Sequence, residues 1–159
     1  TTLTEAQGAK LRHIAKKLHL SPGQDVLDIG CGWGGMAIHL AKHHDVRVTG
    51  ITLSEEQAAL ARGRVHEAGV ADKVTILLQD YRDIAASGRR FDRIVSVGMF
   101  EHVGRAQFAT FFQACATMLA IRGSSLNPHG RPRAYSISAE TNPRAKFSCL
   151  AAMIDRNSK

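Results

Sequence analysis

Apolar positions along the chain switch repeatedly between two periods. Over residues 4–18, Ala6, Leu11, Ile14, Ala15 and Leu18 recur at helical spacing and predict a helix with one apolar face. "SPGQ" (21–24) reads as a turn, and "DVLDIGC" (25–31) is a short apolar run rich in strand formers. "GGMAIHLAKHH" (34–44) follows at once as a helix, and "VRVTGIT" (46–52) alternates as a strand. "SEEQAALARGRVHEAG" (54–69) carries helix signals at both ends: Ser54 as N-cap, Gln57 at the capping-box position and Gly69 as the stop. "KVTILLQD" (73–80) and "FDRIVSVGM" (91–99) predict two more strands, with room between them in "YRDIAASGRR" for only a short helix or loop. "RAQFATFFQACATMLA" (105–120) predicts a final helix.

Strand and helix alternate throughout, which predicts a mostly parallel α/β sheet, doubly wound, with helices on both faces. The ligand crevice of such a sheet lies beyond the carboxyl ends of its strands. Those ends are Asp28–Gly34, Thr52–Gln57, Asp80–Tyr81 and Val97–His102, and the polar oddities of the chain collect there. One of them is "VSVGMFEHVG" (95–104), an apolar strand that ends by presenting Glu101 beside His102.

The pattern breaks at about Ala120–Ile121. Residues 121–159 hold three of the four prolines and six serines, and "RGSSLNPHGRPR" is loop by composition. Within that tail "AYSIS" could alternate as a short strand and "FSCLAAMI" could bury one face. The expected organisation is a core over 1–120 followed by an atypical basic tail over 121–159. Without a fifth strand after the last helix, the fourth is expected to be an unpaired edge that invites association.

Composition narrows the class. No run approaches 18 uninterrupted apolar residues and the amphipathic N-terminus lacks a signal-like apolar stretch, so no membrane span is expected. Cys31, Cys115 and Cys149 make neither an even set nor a CxxC, which suits a reduced, cytoplasmic chain. The net charge is +7, with 14 Lys/Arg against 12 Asp/Glu in residues 1–120 and 7 against 2 beyond. A basic tail could meet anionic headgroups, but no nucleic-acid-reading motif accompanies it, and no nucleic-acid partner is expected.

"DIGCGWGG" places Gly30, Gly32, Gly34 and Gly35 between a strand and a helix, where glycine lets backbone approach a ligand. Gly30, Gly32 and Gly35 fit G-x-G-x-x-G, but a dinucleotide site wants an acidic residue at the end of the second strand, and Thr52 stands there. S-adenosylmethionine is the alternative. Asp28 would supply negative polarity for its ammonium group, and Gln57 an amide for its ribose hydroxyls. Asp80 would accept from the adenine amino group, with Tyr81 packed on the ring. Each has a plainer reading: Asp28 as a loop staple, Gln57 as a capping residue, Tyr81 as a surface aromatic.

"VLDIGCGWGG", "GITLSEEQ", "LLQDYRD" and "FDRIVSVGMFEHVG", in that order and spacing, resemble the cyclopropane-fatty-acyl-phospholipid synthase and mycolic acid cyclopropane synthase family over about residues 4–120. The resemblance implies a Rossmann-like class I methyltransferase core, incomplete at its C-terminal side, that uses S-adenosylmethionine. It implies cofactor contacts at Gly30, Gly32, Thr52, Leu53, Gln57, Asp80, Tyr81 and Val97, beside the separately argued Asp28. It places Glu101 at the reaction centre, holding a bicarbonate ion that takes the proton. The implied reaction adds a methyl to a cis double bond of a phospholipid acyl chain, and loss of a proton from that methyl closes a cyclopropane ring. Unsaturated acyl chains would be the substrate; a peripheral seat at the inner membrane face and a homo-oligomer are both compatible. The rivals are another small-molecule or lipid methyltransferase, and a remnant that binds the cofactor without turnover.

The remaining constellations read as structure. His39 and His43 resemble half a metal site without a third ligand, and with His44 they suit the negative end of their helix. Cys31 is a small residue that fits the loop, His102 points to structure, and Phe108, Phe111 and Phe112 read as core rather than lipid pocket. The family pattern continues after residue 120 with a fifth strand and an acyl-binding portion, and has a further segment ahead of residue 4. The abrupt change at "MLAIRGSSLNPHG" is expected to mark a shifted frame or another replacement of the natural end.

Overall fold

The computed structural model describes residues 2–99, 103–119, 138–140 and 149–151, with Arg105 and the last two segments described by backbone alone. Glu101, His102 and most of the tail, including the join at 120–121, lie outside the described residues.

The chain opens with α1 (Leu3–Lys17), closed at its start by a capping box between Thr2 and Glu5. Of its predicted apolar face, Ile14, Ala15 and Leu18 are buried, Leu11 is half-buried and Ala6 is exposed. Then come β1 (Asp25–Ile29), α2 (Gly35–His44), β2 (Arg47–Thr52), α3 (Glu55–Glu67), β3 (Val74–Leu78), α4 (Tyr81–Ala86) and β4 (Arg93–Val97). A 3-10 turn, Arg105–Gln107, leads into α5 (Phe108–Met118). Two short strands, β5 (Ser138–Glu140) and β6 (Cys149–Ala151), follow from the tail.

The sheet runs β3-β2-β1-β4-β6-β5. The first four strands are parallel, in register through Asp28↔Gly50 and Ile51↔Leu77, as the alternating pattern requires. Alternate residues of β1 serve opposite faces. Val26 joins Ile14 of α1, its C-cap Leu18, Leu40 of α2 and Ala61 of α3. Leu27 and Ile29 join Ile84, Phe111 and Met118 from α4 and α5. Both faces are covered, so the sheet is doubly wound. Arg93 ties β4 to the end of α1, donating from Nε to the Leu18 carbonyl at 2.8 Å.

One expectation is corrected. The outer edge of β4 is not bare: β6 pairs with it antiparallel through Ser96↔Leu150 and Val97↔Cys149. The edge that motivated self-association is therefore taken by the chain's own tail: β5 begins at the last residue of "AYSIS", and β6 lies within "FSCLAAMI", the segment expected to bury one face.

No helix among the described residues is long and apolar enough to cross a membrane.

Candidate functional site

Walking outward from β1, β2, β3 and β4, every strand ends on one cavity of about 780 Å³. The order of the sheet reverses between β1 and β4, and the glycine loop leaves β1 at that point. The loop is pinned to its neighbour strand, since the N–H groups of Gly30 and Cys31 both donate to the Ile51 carbonyl, at 2.9 and 3.0 Å. Gly30 has φ +76° and Gly32 φ +54°, a left-handed path that L side chains rarely take. Any Cβ on Gly32 would meet no atom within 4 Å, so the loop leaves open space there beside the cavity.

Eight of the nine cofactor candidates border the cavity: Gly30, Gly32, Thr52, Leu53, Gln57, Asp80, Tyr81 and Val97. Asp28 does not. Only 2% of it is exposed, on the α1–α3 side of β1 beneath the loop, and its Oδ2 has no hydrogen-bond partner among the described residues. Burial pushes its carboxyl up to about 7. A buried anion lacking compensation calls for a cation, so the residue suits a cationic ligand through the local field rather than by lining its seat.

Cys31 is buried against the same carboxylate. Desolvation, then the Asp28 charge, pushes its thiol up to about 12, which keeps it protonated and unreactive. The loop fits because residue 50 has no side chain: a Cβ there would stand 2.9 Å from Cys31 Cβ and from Ile76 Cδ1.

At the end of β2 the predicted capping box is only half formed. Ser54 Oγ accepts from the Gln57 backbone N–H at 3.2 Å, as an N-cap should. Gln57 does not return to Ser54 with its side chain. Its Oε1 accepts instead from the Thr52 hydroxyl at 2.9 Å, while Thr52 Oγ1 accepts from the Ser54 N–H at 3.2 Å. With Oε1 held, the amide's NH2 is what it can offer a ribose hydroxyl. Thr52→Val should leave the half-buried Ser54 N–H without its acceptor and the Gln57 amide unheld, lowering stability by about 1–2 kcal/mol. Chemical denaturation measures the loss, and wild-type stability in the variant would show the triad to be ornamental.

At the end of β3, Asp80 N-caps α4, its Oδ1 accepting from the Arg82 N–H at 2.8 Å. The Arg82 side chain grips the same carboxylate and holds it below the usual carboxylate range. Tyr81 meets Phe111 edge to face, with ring centres 5.1 Å apart. Phe111 itself is fully buried, as a core residue should be. His39 packs on His43 with ring centres 4.6 Å apart. Among the described residues no three His, Cys, Asp or Glu side chains are placed to hold a metal ion.

Sequence reasoning missed part of the lining: Ser54, Gln79, Arg82, Gly98, Met99, and Val103 with Gln107 from the approach to α5. Ser54, Gly98 and Met99 lie inside strand ends already expected to face the crevice, and Gln79 and Arg82 flank the Asp80–Tyr81 end. Val103 and Gln107 come from the far side of residues 100–102, and no pattern marks them.

The cavity brings together a glycine loop, an amide beside a hydroxyl, and a carboxylate next to an aromatic ring. Comparison with known proteins gives the family. The profile described as mycolic acid cyclopropane synthetase matches residues 1–142. A probable fatty acid methyltransferase of Pseudomonas putida is 52% identical over 112 residues, which are 70% of this chain and 28% of that protein. The cyclopropane-fatty-acyl-phospholipid synthase of Escherichia coli K12 is 50% identical over 128 residues, 80% of this chain and 30% of that protein. The chain thus spans under a third of the length of these relatives. Among solved structures, the mycolic acid cyclopropane synthase CmaA1 complexed with SAH and CTAB superposes with a TM-score of 0.70 at 36% identity, covering 76% of this chain and 41% of that one. The cyclopropane synthase MmaA2 of Mycobacterium tuberculosis gives 0.69 at 39% identity, covering 75% and 41%.

Proposed function

The chain belongs to the mycolic acid cyclopropane synthetase family, and from that premise we propose that its cavity seats S-adenosylmethionine for methyl transfer to the double bond of an unsaturated acyl chain. The observation that carries this reading is the convergence of Gly30, Gly32, Thr52, Leu53, Gln57, Asp80, Tyr81 and Val97, from four separate strand ends, on one cavity. Bound there, the cofactor supplies an electrophilic methyl on a sulfonium centre.

The residues of the chain would divide the work of holding it. Thr52 holds the Gln57 amide, which would serve the ribose hydroxyls, and Asp80 beside Tyr81 would accept from the exocyclic amino group. The buried charge of Asp28 favours the cationic end from beneath the loop. Val97 at the end of β4 and Met99 two residues beyond it give the cavity an apolar wall. Glu101 as the residue that orients a bicarbonate proton acceptor is part of the same proposal, as are a phospholipid acyl substrate and a cytoplasmic seat at a membrane surface. That residue stands two positions beyond Met99.

Calorimetric titration of the chain with S-adenosylmethionine tests the reading, with NAD and Asp28→Ala as controls. Saturable heat with the first ligand, none with NAD and a strong loss in Asp28→Ala is the expected result. A folded chain giving no heat with S-adenosylmethionine would sink the cofactor assignment. Product analysis after incubation with unsaturated phospholipid then separates cyclopropane formation from another methylation.

A further inference from the structure

The two groups assigned to the adenine end of the cavity are already in use. Arg82 donates from Nε to Asp80 Oδ1 at 2.8 Å and from Nη2 to Asp80 Oδ2 at 2.7 Å, a fork closed on the carboxylate. Its guanidinium carbon lies 5.6 Å from the centre of the Tyr81 ring. All three residues border the cavity. A flat group with N–H donors on its edge, set against a carboxylate and an aromatic ring, makes the contacts an aminopurine would make. Adenine would give its amino N–H to the same carboxylate and its π face to the same phenol.

We propose that Arg82 is a displaceable occupant of the base subsite: its guanidinium must leave Asp80 and Tyr81 before an adenine-bearing ligand seats, so Arg82 sets the affinity there. This rests on the cofactor reading above. The arrangement permits such an exchange. Arg82 is 63% exposed at its side chain and can turn into water, whereas Asp80 is 16% exposed. Asp80 also keeps the backbone N–H of Arg82 on Oδ1, at 2.8 Å, so its carboxylate stays aimed after the guanidinium departs. The carboxylate therefore remains an acceptor for the incoming base. An ion pair with one exposed partner contributes on the scale of surface pairs, so its displacement should weaken ligand binding roughly two- to fivefold. Salt screens such a pair and should shrink the penalty.

The experiment is calorimetric titration of the full chain with S-adenosylhomocysteine at low and at high salt, for wild type, Arg82→Ala and Arg82→Lys. Thermal melting confirms that each is folded. Arg82→Ala should bind roughly two- to fivefold tighter than wild type at low salt, with the gap closing at high salt. Arg82→Lys, which keeps the charge but not the flat fork, should fall between them. Equal or weaker binding by folded Arg82→Ala overturns the proposal and leaves the cofactor reading intact. Silence from wild type and both variants overturns the cofactor reading, and the proposal with it.

Discussion

Gly30→Ala is expected to cost about 2–5 kcal/mol of stability and to abolish cofactor binding, from the sum of two independent penalties. The first is backbone. At φ +76° an L residue is forced into the left-handed region, which costs about 1–2 kcal/mol. The second is steric. A Cβ on residue 30 would stand 2.6 Å from Met99 Cβ and 2.9 Å from Met99 Cγ, too close for either chain to keep its place. The struck atoms sit at the root of the Met99 side chain, so rotation about its outer bonds gives no relief. Either the loop lifts from Ile51, which receives its two N–H groups, or the segment after β4 moves; both are cavity walls. Overpacking of this kind typically costs about 1–3 kcal/mol. Gly32→Ala is the control, because its Cβ meets no atom within 4 Å at φ +54° and carries only the backbone penalty. Urea denaturation of both variants decides the matter. A Gly30→Ala protein as stable as Gly32→Ala would show that Met99 does not constrain the loop.

Much of this site could be read before any coordinates, for a definite reason. Parallel strands buried on both faces leave a strong apolar signal, and chain order then fixes which ends face the same way. That logic placed Gly30, Thr52, Asp80 and Val97 together although up to 67 residues separate them in sequence. What stayed hidden was side-chain choice among several equally good partners. Ser54, three residues before Gln57, signals a capping box, but the Thr52 hydroxyl competes for the same Oε1 and wins. Asp80 announces an acceptor for adenine, yet a neighbour two residues on can reach the same oxygens. Asp28 reads in sequence as a carboxylate for the ligand's ammonium group, while the twofold alternation that turns it under the loop depends on which face each helix covers. The pairing of β4 with β6 was beyond reach for another reason. Three-residue strands carry no usable period, and their partners are set by the long-range path of the tail.

Asp28→Asn should produce the second large effect, with a sign that depends on pH. The folded chain holds this carboxyl at about 7, against an ordinary value of 3.8. Near pH 3 it is protonated in both folded and unfolded chains and burial of its charge costs nothing. As pH rises through 4 the unfolded chain loses the proton while the folded chain keeps it, so wild-type stability declines. The decline continues to about pH 7, where the folded carboxyl ionises as well, and is complete above it. The full penalty is about 4 kcal/mol, taken as an upper figure because water and local movement relieve buried charge. Asparagine never ionises. The variant should therefore match wild type near pH 3 and exceed it increasingly up to pH 8, the difference between the two curves cancelling every other titrating group. Ligand binding should move the other way. A cation seated above the loop restores the value of an ionised Asp28, so wild type should release a proton on binding S-adenosylmethionine near pH 6, and the variant should bind weakly and release none. Calorimetry in buffers of different ionisation enthalpy counts that proton. Parallel stability curves for the two proteins between pH 4 and 7 would mean that Asp28 is solvated in the empty site. A stabler protein that has lost its cofactor would identify Asp28 as a charge retained for binding at the expense of the fold.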